Sequence, residues 1–174
     1  MRTFVFILMI FLLHSCSNIP DYIPPRYVVV ANEVLKEMED KLSQQYHMRV
    51  ISNTAGLMEN VNLLGLGFQI RGPLTQEQLR VILVGCVEAF LSAVNSNEEI
   101  RPHLNTYPFT AGGIDIGIFV IDSNGRGLSV PNIAIAQASR GTLDYITIDR
   151  TNGHKNRVSE TYEEAVQIVH DLGN

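Results

Sequence analysis

The side chains best suited to binding a ligand lie together in one connecting segment, residues 96–113. The segment carries a guanidinium, an imidazole and two aromatic rings, on Arg101, His103, Tyr107 and Phe109. Long loops between secondary-structure elements often carry function, because a rigid scaffold holds their side chains in place. We predict that these four residues form a binding site. The alternative interpretation is that Tyr107 and Phe109 only anchor the loop to the core.

A second chemistry that this region could perform is acid–base catalysis. His103 lies in the connecting segment, and Asp115 and Asp122 lie near the two ends of the apolar run that follows it. An imidazole and carboxylates are common general acids and bases, provided that the fold brings them to one substrate. A hydrolase that uses His103, Asp115 or Asp122 is therefore the alternative to a binding protein.

No other motif in the sequence is typical of a cofactor, metal or catalytic site. Gly65 and Gly67 lie inside an extended run instead of at a strand-to-helix turn, which indicates close packing against a helix and not phosphate binding. Asp122 and Asn124 resemble the start of a calcium loop, but Ile133 stands where a glutamate is needed, so a hairpin turn is predicted. The four histidines after residue 46 form no metal-binding pair: His47, His103, His154 and His170. We therefore assign no cofactor, no metal ion and no catalytic residue.

The N-terminal segment has the composition of an export signal. Arg2 gives it a positive charge, and the run FVFILMIFLL from Phe4 to Leu13 is apolar throughout. A run of this length is too short to cross about 30 Å of hydrocarbon, which requires about 20 helical residues. The length is instead that of the hydrophobic region of a signal peptide.

The tetrapeptide that ends this segment resembles the lipobox of bacterial lipoproteins: Leu13, His14, Ser15 and Cys16. The resemblance implies cleavage before Cys16 and acylation of its thiol, and two or three acyl chains make a durable anchor. It also implies a protein on the bacterial cell membrane that faces the periplasm or the exterior. In a Gram-negative cell, Ser17 after the cysteine implies the outer membrane. An ordinary secretory leader that is cut nearby and an uncleaved short anchor are the alternatives.

The charge of the chain argues against nucleic acid as a partner. The chain has 13 Lys and Arg against 18 Asp and Glu, a net charge of −5, and loss of Arg2 with the leader gives 12 − 18 = −6. Such a surface repels a phosphate backbone. Cys86 lies in an apolar stretch and is predicted to pack in the core. With Cys16 acylated, we expect no disulfide within the chain.

Apolar periodicity and turn signals predict three helices and five strands. The predicted helices span residues 27–46, 76–95 and about 159 onward, with capping boxes at Thr75 and Gln78 and at Thr161 and Glu164. The predicted strands span residues 48–54, 61–71, 114–121, 133–138 and 143–149. Strands that come in runs favour an α+β fold, in which an antiparallel sheet of about five strands packs against helices in the order αββαβββα.

These features together predict one domain behind a lipid anchor. Residues 1–15 are the predicted signal peptide, residues 16–25 the lipidated cysteine and a proline-rich tether, and residues 26–174 a single α+β domain. We predict a membrane-anchored envelope lipoprotein whose domain is a non-enzymatic binding or assembly module, with another envelope protein or a small ligand as its partner. The alternative hypothesis is a periplasm-facing hydrolase of a cell-wall polymer such as peptidoglycan.

Overall fold

The structure, a computed structural model, describes residues 23–172 of the chain. Its helices are α1 (Arg26–Tyr46), α2 (Gln76–Ser96) and α3 (Tyr162–Leu172). Its strands are β1 (Arg49–Gly56), β2 (Leu63–Arg71), β3 (Ile114–Ile121), β4 (Ile133–Ser139), β5 (Thr142–Ile148) and β6 (Lys155–Thr161). Two single turns of 3-10 helix, Arg101–His103 and Ala111–Gly113, lie between α2 and β3. The predicted signal peptide, Cys16 and most of the predicted tether lie outside the described residues.

The six strands lie in the sheet in the order in which they occur along the chain. Neighbouring strands are antiparallel except β2 and β3, which are parallel with Leu66 opposite Ile116. A parallel pair needs a connection that crosses one face of the sheet, and α2 lies in that connection. The predicted α+β class and the order of the elements are confirmed. The sheet differs from the prediction because it is mixed and has six strands.

The additional strand is β6, which the sequence does not predict. Its residues KNRVSET have no apolar alternation, because β6 is an edge strand and nearly all of its side chains are exposed. Helix α3 therefore begins at Tyr162, slightly later than predicted. The predicted capping box is confirmed: the backbone N–H of Thr161 donates to Glu164 at 2.8 Å, and the backbone N–H of Glu164 donates to the Thr161 hydroxyl at 3.2 Å.

The core lies between one face of the sheet and the three helices. Alternate strand residues enter it, including Phe68, Ile118 and Tyr145. Helix α2 is long and apolar enough, by composition, to span a membrane, and it is the one such helix within residues 23–172. Its side chains are buried around much of its circumference, as Leu83 and Cys86 show, so its apolar character is accounted for by packing. The prediction that Cys86 packs in the core is confirmed.

The other face of the sheet carries no helix in the part of the chain that the structure describes. Gly65 and Gly67 lie on this face, where added side chains would meet the backbone oxygen of Asp115 and the hydroxyl of Ser52. The prediction that the glycines serve close packing is confirmed, but the prediction that they pack against a helix is wrong. They allow neighbouring strands and their side chains to approach closely on the uncovered face.

Candidate binding site

Strand register places two arginines together on the uncovered face of the sheet. Arg49 of β1 pairs with Gln69 of β2, and Arg71 follows Gln69 by two residues. Side chains two residues apart on a strand point to the same face, so Arg49 and Arg71 are diagonal neighbours with Cα atoms about 7–8 Å apart. Ile121 of β3 lies opposite Arg71 and adds an apolar side chain to the same face.

These side chains line a cleft of about 770 Å³ at one end of the sheet. Its lining also includes Tyr46, His47 and Met48, which lead from α1 into β1. Sites for small molecules commonly measure about 300–1,000 Å³, so the cleft is large enough for a ligand of that class.

Chain reversals form the two walls of the cleft. Helix α1 ends at Tyr46, and the left-handed backbone of the next residue, His47 (φ 52°), turns the chain directly into β1. On the other side, the connection from β3 to β4 turns at Gly125 (φ 79°). There the Asp122 carboxylate accepts hydrogen bonds from the backbone N–H groups of Asn124 at 2.8 Å and Arg126 at 2.9 Å. The predicted turn at Asp122 is thereby confirmed, and its carboxylate serves the turn.

Neither arginine of the cleft has a carboxylate partner among residues 23–172. Arg49 donates to the side-chain oxygen of Gln69, and Arg71 donates to the backbone oxygen of Ser123 at 3.3 Å. None of the described lining residues is an aspartate or a glutamate. The cleft is therefore a positively charged site on a chain whose net charge is −5.

The chemistry available in the cleft is binding of an anion. A guanidinium only donates hydrogen bonds and keeps its charge at all physiological pH values. Tyr46 contributes to the lining, but its hydroxyl packs against Gly85 of α2, and burial there raises the pKa of that hydroxyl. Within residues 23–172, no hydrogen bond or ion pair joins His47 to a carboxylate or to a nucleophile, as acid–base catalysis at this position would require. Sequence patterns do not indicate this site, because its residues come from three strands and a helix end.

Three of the four predicted loop residues lie at the surface, in two separate contacts. The guanidinium carbon of Arg101 lies 5.1 Å from the centre of the Tyr107 ring. The His103 ring stacks on Tyr27, at the start of α1, with the ring centres 5.0 Å apart. Tyr107 is 54% exposed. The structure thus pairs Arg101 with Tyr107 and His103 with Tyr27, and the Tyr27 ring was not predicted.

Phe109, the fourth predicted residue, is buried and anchors the loop. Its backbone N–H donates to the side-chain oxygen of Asn95 at 2.7 Å, and its backbone oxygen accepts from the Asn95 amide at 3.0 Å. The adjacent cavity measures about 150 Å³, which is below the usual size of a ligand site. For Phe109, the alternative interpretation of the sequence is therefore the one that the structure supports.

The residues of the hydrolase hypothesis do not converge. Asp115 lies at the start of β3 and Asp122 just beyond its end, so about 23 Å of extended chain separates them. His103 lies in a 3-10 turn before the strand. No hydrogen bond or ion pair connects any two of the three within the described range.

Two polar clusters of the structure have no signal in the sequence. Arg80 of α2 forms two hydrogen bonds to Glu160 of β6, at 2.8 and 3.0 Å, and the Tyr145 hydroxyl donates to the same carboxylate at 2.5 Å. On the uncovered face, the buried Asp144 accepts hydrogen bonds from Gln137 and Ser159, at 2.9 and 2.6 Å. In both clusters the polar groups form hydrogen bonds with one another, so we assign these clusters a structural role.

No group of three or more His, Cys, Asp or Glu among the described residues is arranged to hold a metal ion. Cys16, the predicted lipidation site, lies outside the described residues. Comparison of the chain with protein-family models, curated proteins and solved structures finds no match.

Proposed function

We propose that this chain is a membrane-anchored envelope lipoprotein whose folded domain is a non-enzymatic binding module. The observation that carries the binding function is the cleft between Arg49 and Arg71, which is open and positively charged. Its donors suit recognition, and it contains no paired nucleophile and base among the described residues. A small ligand with acceptor oxygens is the partner that this cleft fits, and an envelope protein that carries such a group is equally compatible with it.

The proposed membrane localisation rests on the sequence of the N-terminal segment. An apolar run of signal-peptide length is followed directly by a small residue and Cys16. Acylation of that thiol would tether the domain through the prolines of residues 20–25, because a proline-rich segment is a stiff spacer.

Mass spectrometry of the protein from its native host tests the anchor. We expect a mature chain that begins at Cys16 and carries acyl groups on the sulfur, and we expect it in the membrane fraction. Cys16→Ala should move the protein to the soluble fraction, whereas Cys86→Ala, the matched control, should leave it on the membrane. An intact Met1, or an unmodified Cys16 in the mature chain, would contradict the proposal.

The alternative, a cell-wall hydrolase, is tested with the same purified protein. Incubation with peptidoglycan should release no soluble fragments if the domain only binds. If fragments are released and His103→Ala or Asp115→Ala abolishes the release, the hydrolase hypothesis is correct and the binding proposal is wrong.

A further inference from the structure

We infer that the cleft binds a phosphate group, held between the guanidiniums of Arg49 and Arg71. The inference rests on the proposed binding function and names the chemical class of its ligand. The observation that carries it is the diagonal placement of the two arginines on adjacent strands of the uncovered face, with Gln69 opposite Arg49 and two residues before Arg71.

The electrostatics of the cleft favour an anion there. Two guanidiniums at neighbouring positions of one face repel each other, and no described carboxylate lies in the cleft to offset the repulsion. By contrast, Arg80 is matched by the carboxylate of Glu160 at 2.8 Å. Arg49 and Arg71 donate only to uncharged oxygens. An anion between them would replace these bonds with shorter, charge-assisted ones.

The number of donors selects phosphate over a single carboxylate. Each guanidinium is a planar fork that can hold two oxygens, and a carboxylate has only enough oxygens for one fork. A phosphate monoester presents three oxygens and nearly two negative charges, so it can engage both forks at once. The side-chain oxygen of Gln69 accepts from Arg49, and the NH₂ group of the same amide can supply a further donor. The apolar side of the cleft, at Met48 and Ile121, is available to the group esterified to the phosphate.

Calorimetric titration of the full chain, purified in detergent at low ionic strength, tests the inference. The probes are inorganic phosphate and glycerol phosphate, the soluble form of a phospholipid headgroup, with glycerol as the neutral control. We expect saturable binding of a phosphate probe and none of glycerol. Arg49→Gln and Arg71→Gln should each raise Kd by about tenfold or more, because each removes a charged hydrogen-bond donor. Arg140→Gln removes the same charge at the exposed β4–β5 turn and should leave Kd unchanged.

Comparison of the two probes shows whether the site binds phosphate at all and whether the phosphate belongs to a soluble compound or to a lipid headgroup. Equal affinity for both probes supports a soluble phosphate compound, and selective binding of glycerol phosphate supports a lipid headgroup; either result supports the phosphate site. Absence of binding by both probes, or an equal loss in Arg140→Gln, would overturn it. The proposed anchor is judged separately by the mass at Cys16. An acylated protein without phosphate affinity would therefore refute the ligand class alone.

Discussion

At the scale of single residues, the group formed by Arg80, Glu160 and Tyr145 connects distant parts of the chain. The side chains of Arg80 and Glu160 are 9% and 12% exposed. The carboxylate of Glu160 raises the pKa of Arg80. Burial, together with the same carboxylate, raises the pKa of Tyr145. Arg80 therefore stays charged and Tyr145 stays protonated at neutral pH, and both donate to the one carboxylate.

Removal of the charge on Glu160 should destabilise the domain strongly. Glu160→Gln leaves the Arg80 guanidinium buried without its counterion, and such losses commonly cost about 3–5 kcal/mol. Urea denaturation followed by circular dichroism measures the change in the free energy of unfolding. The matched control is Asp40→Asn, which breaks the exposed pair with Lys36 at 3.0 Å on α1. Exposed pairs contribute little, so the control should unfold as the wild type does. If both variants lose the same free energy of unfolding, the buried Arg80–Glu160 pair is not stronger than the exposed Lys36–Asp40 pair.

At the scale of elements, the glycines of β2 decide how closely its neighbours approach. A Cβ at Gly65 would press on the backbone oxygen of Asp115 in the parallel partner β3, and backbone cannot rotate away as a flexible side chain can. Gly117 of β3 lies on the same face, but a Cβ there would meet only the ring of Phe119 at 3.7 Å, an ordinary contact. A Cβ atom therefore has room at position 117 but not at position 65, although both glycines lie on the same face of the sheet.

Gly65→Ala should consequently reduce the free energy of unfolding by about 1–3 kcal/mol, as overpacking does. Gly117→Ala should leave it unchanged or raise it by less than about 1 kcal/mol, because alanine restricts the unfolded chain. Thermal unfolding of the two variants under identical conditions provides the measurement. If Gly117→Ala proves the more destabilising, the close approach of β2 and β3 is not the reason for the glycine at position 65.

The helix ends and turns show how far local sequence patterns reach. Both capping boxes and the turn at Asp122 occur where the sequence predicts them. Each depends on groups no more than about four residues apart, so neighbouring residues are sufficient to specify it. By contrast, the Arg49–Arg71 cleft depends on how β1, β2 and β3 are paired, and no local sequence pattern predicts that pairing.

At the scale of the whole molecule, one core joins every helix to the sheet. Residues of α1, α2 and α3 belong to the same buried cluster as the central strands. Cys86 lies inside it on α2, and burial raises the pKa of its thiol to about 12. A thiol that is both covered and protonated does not react with alkylating agents in the native state.

Labelling of Cys86 should therefore follow global unfolding. We expect the urea midpoint for iodoacetamide labelling to coincide with the midpoint for loss of circular dichroism, because a domain with one core unfolds cooperatively. Denatured protein should yield one reactive thiol if Cys16 is acylated. Labelling of Cys86 at urea concentrations well below the circular-dichroism midpoint would show that α2 opens separately from the sheet.

The amino-acid sequence by itself determined the helices, the five strands with clear alternation, their order and the α+β class, because side-chain periodicity and turn residues act over short distances. It also marks Cys16 as a predicted lipid site, which the described residues do not include. Only the tertiary structure decided the parallel pairing of β2 with β3, the edge strand β6 and the cleft between Arg49 and Arg71. These features arise from contacts between residues far apart in the chain, and polar side chains on the uncovered face leave no apolar period to predict them.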